Sequence, residues 1–484
     1  MITSREKTGM ATVLTVALGT FMCSFDSNAV NMALPLMQRT FDSTIAAVEW
    51  VPVAYLLALS ASLLAFGRLA DMWGHKKLYV AGFLGFTASS LLAALSPTIA
   101  ALIGSRILQG LSASLMMSSA SALILEAVPA SRRGRSLGIT AMAIALASCA
   151  GPALGGLLAT AFGWKSIFLV NLPVGAAGTL LAARLIARDG AREPGRFDPL
   201  GAVLIVSALA ALLLSLDLFS AGAARSLVVW ILLAAAILLA AIFVLVERRA
   251  ASPLLPMELF SIRAFAAGNL AAAMFYLSLF IMVFLGPYFL QGLRGLSPSA
   301  SGLMMLPMSA ALMVSAPIAG ALSDRFDSRW LSCGGMILVA AAEALFGWFA
   351  GDTPSWLIIV AFAVIGAGMG AFQTPNNSAV MGSLPAGARG VGGAALATTR
   401  NVGMALGEAL SAALLASGMA ARGFRLTLTA AGATGWDAAF AYATRITCLA
   451  AAAAALAAGL LSLARSQKEI SLRDERVPAT AAGA

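Results

Sequence analysis

An acidic side chain inside a long apolar run is the first residue of this chain that could do chemistry. Asp26 stands among apolar and small neighbours, in a run of about residues 12–34. A carboxyl at bilayer depth costs about 2.5–3.5 kcal/mol on insertion scales, so it faces a protein interior and has a task there. It can take up and release a proton; the plainer alternative is a hydrogen bond that pins its helix. Arg106 lies about seven residues inside the end of another apolar run, near 10 Å at 1.5 Å per residue. Asp26 lies about nine residues inside the matching end of its own run, near 13 Å. Similar depths make the two partners, because a permanently charged guanidinium can hold a carboxylate ionised until a proton or cation replaces it. A salt bridge without a transport role is the alternative. Glu408, between Gly407 and Ala409, is a second acid of the same kind. Glu343, also in an apolar run, is expected to be structural.

A second set of residues could hold a small molecule. Tyr276, Phe280, Phe284 and Tyr288 recur every four residues, with Gln291 three further on. Residues at i and i+4 share a helix face. Such a face can stack on flat rings and attract cations, although aromatic stripes also serve packing and lipid contact. Phe25, beside Asp26, joins these candidates. Gln373, Asn376 and Asn377 surround Pro375 in another apolar run. Amides at that depth need partners or water, which points to a cavity wall. Met304, Met305, Met308 and Met313 offer an adaptable surface or plain core.

The elements that must position these residues are membrane helices. The chain has 60% hydrophobic and 11% charged residues, against about 25% charged in soluble domains. Its mean hydropathy is +0.91. Each crossing needs roughly 20 apolar residues, and fourteen such segments can be read: 12–34, 47–68, 78–97, 99–123, 136–160, 166–187, 199–219, 226–247, 264–291, 299–323, 330–350, 355–380, 391–418 and 437–464. Arg5 and Lys7 lead straight into a full-length span, without a cleavable signal pattern. With the first end inside, 22 Lys and Arg fall on the cytoplasmic side. Six fall outside: Arg39, Lys165, Arg225, Arg294, Arg422 and Arg425. Arg106, Arg400 and Arg445 lie within spans. Basic residues favour the cytoplasm, so both termini are expected there. The +10 net charge is then topological and does not indicate nucleic acid. Cys23, Cys149, Cys333 and Cys448 sit in or beside apolar runs without metal-ligand spacing, and read as reduced packing residues.

A repeated pattern divides the chain. Gly67-Arg68-Leu69-Ala70-Asp71 leads into Met72-Trp73-Gly74-His75-Lys76-Lys77 and reads as a basic turn between spans. Gly320-Ala321-Leu322-Ser323-Asp324 repeats its G-x-L-x-D core 253 residues later. A direct six-helix repeat would recur after roughly 190 residues. The excess fits two further spans. The expected plan is a six-helix bundle over 1–187, a linker with two inserted helices over 188–250, a second six-helix bundle over 251–464, and a disordered cytoplasmic tail over 465–484. Gly151, Pro152, Gly155 and Gly156 allow close helix approach and a bend. Asp71 and Asp324 can each meet a neighbouring helix N-terminus.

These features together resemble the major facilitator superfamily, and most of all its fourteen-helix drug/proton antiporter branch. Phe25–Pro35 resembles the first-helix signature, Gly67–Lys77 the loop between helices two and three, and Arg106, Gln109 and Gly110 the R-x-x-Q-G pattern of helix four. Gly138, Gly151, Pro152, Gly155 and Gly156 resemble the antiporter motif of helix five. Phe162–Phe168 with Asn171-Leu172-Pro173 resembles the entry to helix six. Pro375-Asn376-Asn377, Arg389-Gly390 and Arg400-Asn401-Val402-Gly403 resemble second-half patterns. The resemblance implies that Arg106 takes part in proton coupling and that span nine lines a cavity. It further implies that Gly67, Asp71, Lys76 and Asp324 belong to a latch stabilising the outward-facing state.

The expected protein is an all-α bundle of fourteen transmembrane helices in a cell inner membrane, and a monomer. Its expected function is proton-coupled export of amphipathic or cationic small molecules, by alternating access. It is not expected to be an enzyme or to need a cofactor; no G-x-x-x-x-G-K-[ST] sequence for ATP occurs. Export of one endogenous metabolite or antibiotic, and a non-transporting membrane sensor, are the alternatives.

Overall fold

A computed structural model describes residues 4–129, 132–187, 198–218, 226–250, 257–323, 325–385, 388–424 and 434–464. The expected linker core (188–197) and tail (465–484) lie outside the described residues. So does Asp324.

Among the described residues, fifteen α-helices follow in order. The first set is α1 (Ser4–Thr40), α2 (Ile45–Trp73), α3 (His75–Leu95), α4 (Ile99–Ala127), α5 (Arg133–Phe162), α6 (Lys165–Leu169) and α7 (Asn171–Leu185). A hairpin follows, α8 (Pro199–Leu218) and α9 (Leu227–Glu247). The second set is α10 (Arg263–Tyr288), α11 (Pro298–Ser323), α12 (Ser328–Phe346), α13 (Ser355–Gly382), α14 (Arg389–Ala420) and α15 (Trp436–Leu463). No strand occurs among the described residues. Among the described residues, thirteen helical segments, with α6 and α7 counted together, are long and apolar enough to cross a membrane. The expected span at 199–219 is the helix α8, whose apolar part, Leu200–Ser215, is shorter.

The ends of these helices follow from local chemistry. Thr44, Thr98 and Ser226 are N-caps whose hydroxyls accept from Ala47, Ala101 and Val228 backbone N–H groups, satisfying donors that a helix start leaves open. The expected basic turn at Gly67–Lys77 is a correction. α2 continues to Trp73, α3 starts at His75, and the break is Gly74 alone, with φ +108°. A single glycine in a conformation that side chains disfavour suffices for the reversal, so Gly67 and Asp71 lie inside α2.

The two sets pack alike. In the first, α1 lies on α5 and α7, α2 on α4, and α3 on α4 and α7. In the second, α10 lies on α14 and α15, α11 on α13, and α12 on α13 and α15. The sets meet where α5 packs on α11 and α2 on α14. The hairpin packs through α8 on α2 and α14, beside that seam. Only 17% of α9's most apolar stretch is buried, at mean hydropathy 3.1, against 72% for the span containing α10. Such an exposed apolar helix requires lipid as its solvent.

Candidate functional site

The polar centre of the first half is built on five helices. Arg106, from α4, donates through Nη1 to Asp26 Oδ2 on α1, and both side chains are fully buried. Asp26 Oδ1 accepts from Gln109 Nε2 at 3.1 Å and from Asn171 Nδ2, at the start of α7, at 2.8 Å. Gln109 Nε2 also reaches Ser90 Oγ of α3 at 2.9 Å. Arg106 Nε donates to the Val51 carbonyl of α2 at 3.0 Å, and its guanidinium lies 4.3 Å from the Tyr55 ring centroid. The carboxylate therefore has a charged donor on one oxygen and two neutral donors on the other, as a buried charge requires. A proton on Asp26 would remove one charge of the pair and turn an acceptor into a donor. The change would reach Tyr55 through Arg106. Gln109 and Asn171 appear in the sequence only as parts of patterns. Their common partner is visible only once α4 and α7 are folded against α1.

Tyr55 is also a wall of a cavity of ≈ 140 Å³ between the two halves. From the first half it is lined by Cys23, Ser27, Asn28 and Pro152, among others. The second half contributes Tyr276, Phe280, Gln373, Arg400 and Asn401 beside a methionine-rich surface that includes Met305 and Met308. Asp26 is not on this wall but one position from Ser27, which is.

The aromatic stripe expected on one face is divided. Tyr276 and Phe280 line the cavity, and the Tyr276 hydroxyl accepts from Gln373 Nε2 at 2.8 Å. Phe284 and Tyr288 are fully buried and stack on each other, with centroids 5.1 Å apart. Gln291 is buried and donates to the Met32 carbonyl of α1 at 2.9 Å. At 3.6 residues per turn, steps of four drift by about 40°, so Tyr276 and Tyr288 point roughly 120° apart. The cavity wall takes only part of that arc. Phe25 is buried against Phe21, centroids 6.0 Å apart, and does not line the cavity. Asn376 is buried and donates to the Gly268 carbonyl at 3.2 Å, while Asn377 is exposed. Arg400 and Asn401 line the cavity although the sequence offered them only as part of a pattern.

The halves close against each other at the end remote from the termini. Gly156 of α5 lies so near α11 that an added Cβ would stand 2.3 Å from the Pro298 carbonyl oxygen. Gly302 of α11 meets the Pro152 carbonyl at 2.1 Å in the same sense. Ser299 N donates to Thr160 Oγ1 across this seam at 2.9 Å. Gly151 and Gly155 instead face α1, at Asn28 and Ala29. Glu408 is fully buried on α14 and accepts from Asn31 Nδ2 of α1 at 3.2 Å, another bond between the halves. Glu343, on α12, accepts from Ser278 Oγ at 2.8 Å.

At the opposite end, the polar contacts of Asp71, Lys76 and Asp327 lie within single halves. Asp71 pairs with Arg68 at 3.9 Å and His75 at 3.4 Å. Lys76 Nζ donates to the Ile186 carbonyl at 2.6 Å, tying the start of α3 to the end of α7. Asp327 caps α12 and pairs with Arg329 at 2.6 Å; the side-chain hydrogen bonds from Arg329 hold its carboxyl below the usual carboxylate range.

Comparison with known proteins places this geometry. The chain is 31% identical over 414 residues to the riboflavin transporter RibZ of Clostridioides difficile (strain 630), covering 84% of this chain and 88% of that protein. It is 33% identical over 408 residues to the tetracenomycin C resistance and export protein of Streptomyces glaucescens, covering 84% and 76%. Its fold matches the crystal structure of a bacterial homologue of the human lysosomal transporter Spinster, with TM-score 0.71 at 15% identity over 98% and 99% of the two chains. The family model described as Major Facilitator Superfamily matches residues 16–408 and again 268–481. The chain is thus a membrane transporter of small molecules, and it belongs to the major facilitator superfamily.

Proposed function

We propose that this chain exports amphipathic small molecules in exchange for protons, by alternating access between its two halves. The observation that carries the reading is the Asp26–Arg106 pair, buried one helix face away from the cavity and joined to its wall by Tyr55. With Asp26 ionised, the pair is closed and Arg106 is held off the cavity. A proton on Asp26 breaks the pair, frees the guanidinium that already lies on the Tyr55 ring, and so alters the wall that substrate touches. Proton uptake and substrate release are then alternative states of one site. The Asn31–Glu408 bond offers a second place for a proton, at the closed seam.

A cavity of ≈ 140 Å³ is smaller than the roughly 300–1,000 Å³ that drug-sized ligands occupy. Transport therefore requires the halves to separate around the site. The repeated order of helix partners supports two six-helix copies with α8 and α9 inserted, fourteen spans in all. The excess of basic residues supports cytoplasmic termini in an inner membrane, with a monomer sufficient for the cycle. The closed end is then the outer end. The tetracenomycin C exporter and RibZ are each named for one compound, which favours a dedicated exporter as the second reading.

The test is substrate flux in proteoliposomes driven by a pH gradient, wild type beside Asp26→Asn. The variant should bind substrate but fail to concentrate it. If it concentrates substrate as well as wild type, Asp26 is structural, and Glu408 is the next residue to replace.

A further inference from the structure

The cavity carries a charge that the protein does not balance. Arg400 projects from α14 into its wall. Its Nε has no hydrogen-bond partner, and no ion pair to Arg400 occurs among the described residues. The other two arginines within spans are accommodated differently. Arg106 has Asp26, and Arg445, whose Nε is likewise unbonded, lies 3.7 Å from the Trp348 ring centroid and does not line the cavity. No aspartate or glutamate lines the cavity. Glu408 is on the same helix but bonds Asn31 at the seam, and Asp26 is occupied by three donors.

Polar groups that share the cavity wall with Arg400 can donate as well. Tyr276 accepts from Gln373, so its own hydroxyl proton remains to be given. Asn401 stands beside Arg400 on the same wall. A guanidinium in an apolar site needs an acceptor with charge, and its planar fork suits a planar oxyanion. The remaining wall is aromatic and methionine-rich, which suits a varied apolar body.

We infer that Arg400 is the recognition point for an anionic group, and that the transported molecules are amphipathic aromatics carrying a carboxylate or an equivalent planar oxyanion, not cations. This rests on the reading of the cavity as the substrate site. It does not depend on proton coupling.

The test uses three probes with one aromatic body: 4-(1-pyrenyl)butyrate, its amide, and 4-(1-pyrenyl)butylamine. Binding to the full chain in nanodiscs is read by fluorescence, against empty nanodiscs. Wild type should bind the butyrate at least about tenfold more tightly than the amine, as one charge-assisted contact allows. Arg400→Gln should lose that preference while its affinity for the amide stays within about twofold, which also reports folding. Arg400→Lys should keep part of the preference. An amine bound as tightly as the butyrate by wild type overturns the inference. So does absence of butyrate binding, or an Arg400→Gln variant with unchanged selectivity. If Arg400→Gln loses the amide as well, the wild-type order and Arg400→Lys decide. Selective binding without pH-driven flux would overturn antiport and leave this inference standing.

Discussion

The two halves share a packing plan but surround Asp26 on one side, and Glu343 and Glu408 on the other, differently. In the first, Asp26 has an arginine and two amides on its oxygens. In the second, Glu343 has one serine hydroxyl for both oxygens, and Glu408 has one amide from the opposite half while its Oε2 has no partner. A charge pair inside a bundle is a two-state device, because a single proton breaks it and leaves the partner exposed to a large penalty. A carboxyl with only neutral partners has no such counter-charge to release. The difference teaches that the first half holds a counter-charge for its acid, which the proposed coupling uses, while the second half supplies most of the cavity's aromatic, amide and cationic wall.

The strongest way to break this comparison is to remove one side of the ion pair. Arg106→Met should destabilise the protein by about 3–5 kcal/mol, because Asp26 is left buried and uncompensated. Combining it with Asp26→Asn should recover most of that loss in a thermal unfolding assay, without restoring pH-driven flux. A single variant as stable as wild type would mean that the pair carries no tension.

Next comes the seam that both halves build together. Gly156→Leu and Gly302→Leu each drive a side chain into a carbonyl of the other half, at about 1–3 kcal/mol for an overpacked contact. Both should abolish crosslinking of a Thr160→Cys/Ser299→Cys pair. Loss in one variant only would make the seam asymmetric.

A smaller effect separates the two α2–α3 and α11–α12 connections. Gly74 gives α3 no side-chain cap, whereas Asp327 caps α12. Asp327→Ala should cost about 1 kcal/mol. The contribution belongs to a carboxyl held low by Arg329. It is therefore present at neutral pH and disappears as pH falls through the folded value, below the ordinary carboxylate range. Thermal unfolding of the two proteins should converge in acid; a difference that persists there would assign the effect to backbone capping.

The smallest effect is expected at Glu343. Ser278 can donate to a glutamine carbonyl as to a carboxylate, so Glu343→Gln should change stability by about 1 kcal/mol or less and leave pH-driven flux intact. Loss of coupling would make Glu343 a proton site without a counter-charge and erase the contrast drawn above.

Much of the fold was legible because membrane helices are encoded locally. A run of apolar residues announces a span wherever the chain later places it, and thirteen of the expected segments coincide with sufficiently long apolar helices. The hairpin helix α8 was less legible, since its apolar part is short. The approach of Arg106 to Asp26 could be anticipated because depth is countable along each helix. Rotation about the helix axis is not countable in the same way, and the division of the Tyr276–Tyr288 stripe follows from that.

By itself, then, the sequence determined the solvent, the approximate spans and the depth of each polar residue, all of which depend on composition along a single helix. Only the tertiary structure decided which residues share a surface. Gly156 meets Pro298, Gln291 reaches Met32, and Arg400 enters a cavity without a carboxylate. Each of these depends on how two helices far apart in sequence are rotated and set against each other, and such packing is fixed by the shapes of both partners together.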